Sequence, residues 1–69
     1  MNEIIFLVEE DIEGGYVAKA LGESIITQGE TLEELKKNIK DAVNCHFEEN
    51  QKPKIIRLHI VKEEVLPNV

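Results

Sequence analysis

Ile4-Ile5-Phe6-Leu7-Val8 is the longest uninterrupted apolar run in this 69-residue chain. It is far shorter than the roughly 20 residues that a membrane-crossing helix needs. Read as a strand over residues 3–10, it sets Ile4, Phe6 and Val8 on one face and Ile5 and Leu7 on the other. A strand that is apolar on both faces belongs in the middle of a sheet. The remaining elements have to be assembled around it.

The next segments supply neighbours. Glu13-Gly14-Gly15 reads as a turn, because glycine accepts positive φ without steric cost. Tyr16 to Leu21 reads as a second strand, Gly22-Glu23 as a short turn, and Ser24 to Gln28 as a third strand ending at Gly29. A helix follows. Thr31 is a suitable N-cap, and Glu34, three residues on, makes a capping box with it. Leu32, Leu35, Ile39, Ala42, Val43 and Phe47 then fall on one stripe at about 100° per residue. Glu33 and Lys37 pair at i,i+4 on the other side. The helix is expected to end near Asn50, ahead of Pro53. Lys54 to Glu64 reads as a fourth strand, with Ile56, Leu58 and Ile60 on one face and Arg57 and His59 on the other.

The predicted class is α+β, in the order β-β-β-α-β, as one domain over residues 1–69. Three strands form an antiparallel meander. A right-handed crossover through the helix then lays the fourth strand parallel to the first. The sheet order becomes 3-2-1-4, a four-stranded mixed sheet with the helix on one face. The opposite face has nothing to cover it, yet Ile5, Leu7, Val17, Ile55 and Val61 point to apolar residues there. An open apolar face on so small a domain marks an interface. With no internal disulfide possible from the single Cys45, a partner chain is the expected source of further buried area. A homodimer or higher oligomer follows as the expectation.

Charge narrows the partner. The net charge is −6, and residues 1–30 hold seven acids against one base, Lys19, while residues 31–69 balance seven acids with seven bases. Glu9, Glu10, Asp11 and Glu13 crowd into five positions at the first hairpin. Such a field repels phosphate and attracts cationic surfaces, so direct nucleic-acid binding by this chain alone is disfavoured. These four acids are the candidate partner-binding residues; a solvated hairpin tip that aids solubility is the plainer reading. No leader peptide or membrane segment is expected, and a lone free cysteine fits a cytoplasmic location.

No catalytic or metal constellation stands out. Cys45 and His46 are adjacent and diverge by about 100° on a helix, so they do not share an ion or form a nucleophile–base pair. His46 is expected to pack as a structural histidine and His59 to lie exposed on its strand. Gly14-Gly15 lacks the strand–loop–helix setting of a phosphate loop. No cofactor is expected, and the chain is not expected to be an enzyme.

Several segments together resemble the HicB antitoxin family. They are Glu13-Gly14-Gly15-Tyr16-Val17-Ala18, then Thr27-Gln28-Gly29-Glu30-Thr31-Leu32-Glu33-Glu34-Leu35, then Asn38-Ile39-Lys40-Asp41-Ala42. The likeness runs over roughly residues 3–50, and Ile56-Arg57-Leu58-His59 and Glu64-Val65-Leu66 are similar to a short subgroup. It implies a truncated ribonuclease H-like fold without a catalytic acid set. It also implies a HicA-type toxin as partner, a small basic mRNA-cleaving ribonuclease whose active site the antitoxin masks. Many members of the family carry an additional DNA-binding domain, which this sequence is not expected to hold. Where the family often has a Pro-Gly-Cys loop before the third strand, this chain has Ala20-Leu21-Gly22-Glu23-Ser24. Two alternatives stand beside the antitoxin: a self-associating structural module without a toxin, and a vestigial ribonuclease H-like enzyme.

Overall fold

A computed structural model describes residues 2–68. Its elements are β1 (Glu3–Glu10), β2 (Tyr16–Ala20), β3 (Ile26–Gly29), α1 (Leu32–His46), a 3-10 turn (Glu49–Gln51) and β4 (Ile55–Val61). The sheet order is β3-β2-β1-β4, with β1 antiparallel to β2 and parallel to β4, and β2 antiparallel to β3. This is the α+β class and the 3-2-1-4 sheet that the hydrophobic pattern predicts.

β1 shows why. Ile4, Phe6 and Val8 are buried, and Ile5 and Leu7 between them are half-buried. On the helix side, Phe6 stands opposite Ala20 and Leu58, and Val8 opposite Ala18 and Ile60. Leu35, Ile39 and Val43 of α1 close this layer. Tyr16, Leu32, Ala42, Phe47, Ile56 and Leu58 pack around its margin.

The helix starts as expected. Glu34 N–H donates to Thr31 Oγ1 at 3.1 Å. Only this half of the capping box forms among the described residues, and Glu33 and Lys37 form no ion pair there. The end comes earlier than Asn50. Phe47 is extended (φ −103, ψ 146) and its N–H closes the last turn on Val43 C=O at 3.2 Å. A helix of 15 residues rises about 22 Å, already close to the length of β1. A further turn would carry the chain past the sheet. Instead the 3-10 turn brings it back, and Lys54 and Ile55 N–H both donate to Asn2 C=O at 3.0 Å. In that turn Lys52 Nζ donates to Glu49 Oε2 at 2.7 Å, and this bond, with the lysine charge, holds the Glu49 carboxyl below its ordinary range.

Three other boundaries differ from expectation. β2 stops at Ala20, although Leu21 N–H still reaches Ile5 C=O at 2.8 Å. β3 runs Ile26–Gly29, with Ile25 buried just ahead of it. β4 ends at Val61 rather than Glu64, because Val61 stands opposite Glu9 and β1 turns away into its hairpin just beyond. Among the described residues, Lys62 to Glu64 have no strand to pair with. His46 also departs from its expected packed position: it is exposed, edge-on to the Phe47 ring at 4.9 Å, with Nε2 3.6 Å from Glu23 Oε2. His59 is exposed as expected.

The register places Ile5, Leu7, Val17, Ile55 and Val61 on the face away from the helix, together with Ile26. Glu3, Lys19, Gln28, Arg57 and His59 share it, so the face is mixed rather than continuously apolar. Arg57 donates from Nε to Glu3 Oε1 at 2.7 Å, spanning β1 and β4 across that surface.

Candidate partner-binding site

The acidic end of the molecule is built by the β1–β2 hairpin and by the point where β3 hands over to α1. Asp11 shapes the hairpin. Its N–H donates to Gly15 C=O at 2.9 Å, its C=O accepts from Gly14 N–H at 3.0 Å, and its Oδ1 accepts from Glu13 N–H at 3.1 Å. Gly14 and Gly15 take φ of 105 and 80, which residues with a Cβ rarely adopt. A Cβ on Gly15 would also lie 2.8 Å from Gly29 C=O. The hairpin is therefore seated on the end of β3, and Ile12 at its tip is fully exposed.

That seating opens a cavity of about 390 Å³ between hairpin and helix. Asp11 and Glu13 line it from the hairpin, Glu30 from the link between β3 and α1, and Glu34 from the first turn of α1. Tyr16, Gln28 and Asn38 form its floor and wall, and Asn38 Nδ2 is committed to Gln28 C=O at 2.7 Å. Four carboxylates and no cationic side chain line this cavity. It suits a guanidinium or ammonium group and disfavours phosphate.

Of the four acids singled out in the sequence, the structure brings two into this cavity. Asp11 and Glu13 line it; Glu9 and Glu10, the last residues of β1, stand on opposite faces of the strand. Glu10 pairs with Tyr16 on the helix side, and Glu9 with Val17 and Val61 on the other. All four are exposed. Glu30 and Glu34 are additions. Glu30 was visible only as part of the charge imbalance and Glu34 only as a capping residue, since nothing local reveals that β3 returns to the hairpin.

Among the described residues, no group of three or more His, Cys, Asp or Glu side chains is spaced to hold a metal ion. Cys45 is free and exposed. No helix among them is long and apolar enough to cross a membrane.

No protein-family model matches the chain, and no solved structure matches it. Two curated proteins do. A UPF0150 protein of Archaeoglobus fulgidus is 62% identical over 55 residues, covering 80% of this chain and 82% of its own length. A UPF0150 protein of Thermotoga maritima is 49% identical over 62 residues, covering 90% of this chain and 87% of its own. At that identity and coverage, the chain belongs to the UPF0150 family.

Proposed function

We propose that this protein is a HicB-like antitoxin: a non-catalytic binding module that neutralises a small basic HicA-type ribonuclease by masking its active site in the cytoplasm. The observation that carries the proposal is the cavity lined by Asp11, Glu13, Glu30 and Glu34. A ribonuclease holds RNA with cationic side chains, and these are the groups such a cavity receives. The resemblance of the Gln28–Leu35 and Glu13–Ala18 segments to HicB antitoxins supports the same reading. Glu9 and Glu10 extend the negative field beyond the cavity and act on encounter rather than on docking. Self-association accompanies this role, favoured by the mixed apolar face and by the open edge of β4.

Association kinetics with the basic product of a neighbouring gene test the proposal. Exposed charges steer encounter, while apolar contacts set the lifetime of the complex. Glu9→Lys with Glu10→Lys, and separately Glu13→Lys with Glu30→Lys, should each slow association about tenfold at low salt. The Glu13 and Glu30 pair should also speed dissociation. Both on-rate effects should shrink as the screening length falls to about 8–10 Å near physiological salt. Absence of binding by the wild-type protein would sink the antitoxin. Metal-dependent RNA cleavage by the pure protein, abolished by changing one acid, would favour the vestigial ribonuclease H-like enzyme instead.

A further inference from the structure

We infer that residues 62–68, the arm that follows β4, dock into the groove between α1 and β4 of a second copy of this chain. The inference rests on the self-association proposed above and gives it a contact surface.

The groove exists because α1 leans toward one side of the sheet. It packs on β3 and β2, and β4 keeps a half-open helix-side face. Ile56 and Leu58 from β4, with the buried Ile39 of α1 behind them, form the apolar bed, in a space of about 270 Å³. Lys36 and Lys40, one helical turn apart, flank it. Both are exposed, and neither forms an ion pair among the described residues. The bed is apolar and its rim is cationic.

The arm has the complementary chemistry. It reads Lys62-Glu63-Glu64-Val65-Leu66-Pro67-Asn68. Val65 is 80% exposed and Leu66 79%, the most exposed large aliphatic residues after Ile12 at the hairpin tip. Two carboxylates directly precede two aliphatic side chains, matching two ammonium groups beside an apolar bed.

The arm reaches a second copy rather than its own groove. The described chain is 56 Å long but only 19 and 18 Å across. The longest element, β1, accounts for only about 26 Å at 3.3 Å per residue. The arm therefore projects beyond the body. To reach its own Leu58 it would have to reverse within a few residues of Val61, where Val61-Lys62-Glu63-Glu64 offers no glycine, proline, asparagine or aspartate for a tight turn. The edge of β4 that faces away from β1 is open and holds no proline. An extended arm from a second copy has backbone partners there. Two-fold symmetry makes the exchange reciprocal, so each association buries two arms.

A charge-swap test separates this arrangement from others. Sedimentation of the full chain at micromolar concentration should show a dimer. Val65→Ser with Leu66→Ser should weaken it about tenfold to a hundredfold for each aliphatic side chain lost, the value of burying one such side chain. Glu63→Lys with Glu64→Lys creates a cationic arm facing a cationic groove. Lys36→Glu with Lys40→Glu creates an acidic groove facing an acidic arm. Each variant alone should shift toward monomer. An equimolar mixture should recover the dimer, because each arm then meets a groove of opposite charge. All six positions are exposed, and far-ultraviolet circular dichroism should be unchanged. A dimer indifferent to the Val65 and Leu66 changes, or a mixture without recovery, would overturn the arm-in-groove contact while leaving self-association standing. A wild-type monomer would overturn both.

Discussion

The two halves of the helix-side sheet surface carry similar side chains and have different fates. In the β1–β2 half, Phe6, Val8 and Ala18 are fully buried. In β4, Ile56 and Leu58 are half-buried and Ile60 is 44% exposed. Apolar alternation is at least as strong in β4. What separates the halves is where the helix lies. Only Glu30 and Thr31 separate β3 from α1, so the helix begins against the strand it follows. Gly29 lets it come closer still: a Cβ there would fall 2.6 Å from Leu35 N and 2.8 Å from Leu35 Cα. One helix anchored at the β3 edge covers β2 and the β1 face beneath it, and leaves β4 with a groove. Alternation tells which side chains share a face, and the attachment of the helix tells which of them are covered.

Truncation on the two sides should differ most. Leu35→Ala removes a fully buried side chain from the covered half and should cost about 2–5 kcal/mol in urea denaturation. Ile60→Ala, on the uncovered half, should cost under about 1.5 kcal/mol, since much of that side chain is still in water. Equal losses would mean that β4 is as well covered as β1.

Gly29→Ala attacks the anchor itself. The new methyl group would have to displace helix backbone rather than a flexible side chain, and overpacking of this kind costs about 1–3 kcal/mol. Gly22 is the control, since a Cβ there meets nothing within 4 Å and only its φ of 85 resists substitution. Thermal melts should show Gly29→Ala as the more damaging of the two. The reverse order would mean that close approach at β3 does not position the helix.

Thr31→Ala loosens the start of the same helix by removing the oxygen that accepts Glu34 N–H, at about 1 kcal/mol. An unchanged denaturation midpoint would show that the cap does not matter once Gly29 is in place. The smallest effect is expected on the face that no helix covers. Arg57→Ala breaks the exposed pair with Glu3 and should cost about 0.2–1 kcal/mol, less at high salt. A larger loss would show that this pair helps to order Ile5 and Leu7 beneath it.

Much of the architecture was legible in the residues. Period-two alternation in β1 and β4, the Gly14-Gly15 turn, and the Thr31 cap with its Leu35, Ile39 and Val43 stripe are local signals, and each reports on backbone that is close in sequence. The boundaries at Phe47 and Val61 were not legible. The helix stops where the chain must return to Asn2, and β4 stops where β1 leaves it; both are conditions imposed by a distant strand. His46 was misplaced for a related reason. A position at the end of a helical stripe lies inside only if the helix continues over the core, and this one has already ended.

The candidate site divides in the same way. Its negative charge is a property of the sequence, because seven acids against Lys19 in residues 1–30 cannot be neutral wherever they fold. Its membership is a property of the tertiary structure. Strand pleating sends Glu9 and Glu10 to opposite faces, while the seating of the hairpin on Gly29 joins Asp11 and Glu13 to Glu30 and Glu34. The groove beside Lys36 and Lys40 follows the same rule, since its bed comes from α1 and β4 and neither alone contains a cavity. Local spacing set which elements form and what charge they carry. Contacts between residues far apart in the chain decided which surfaces are covered and which stay open, because those contacts depend on where one helix comes to rest.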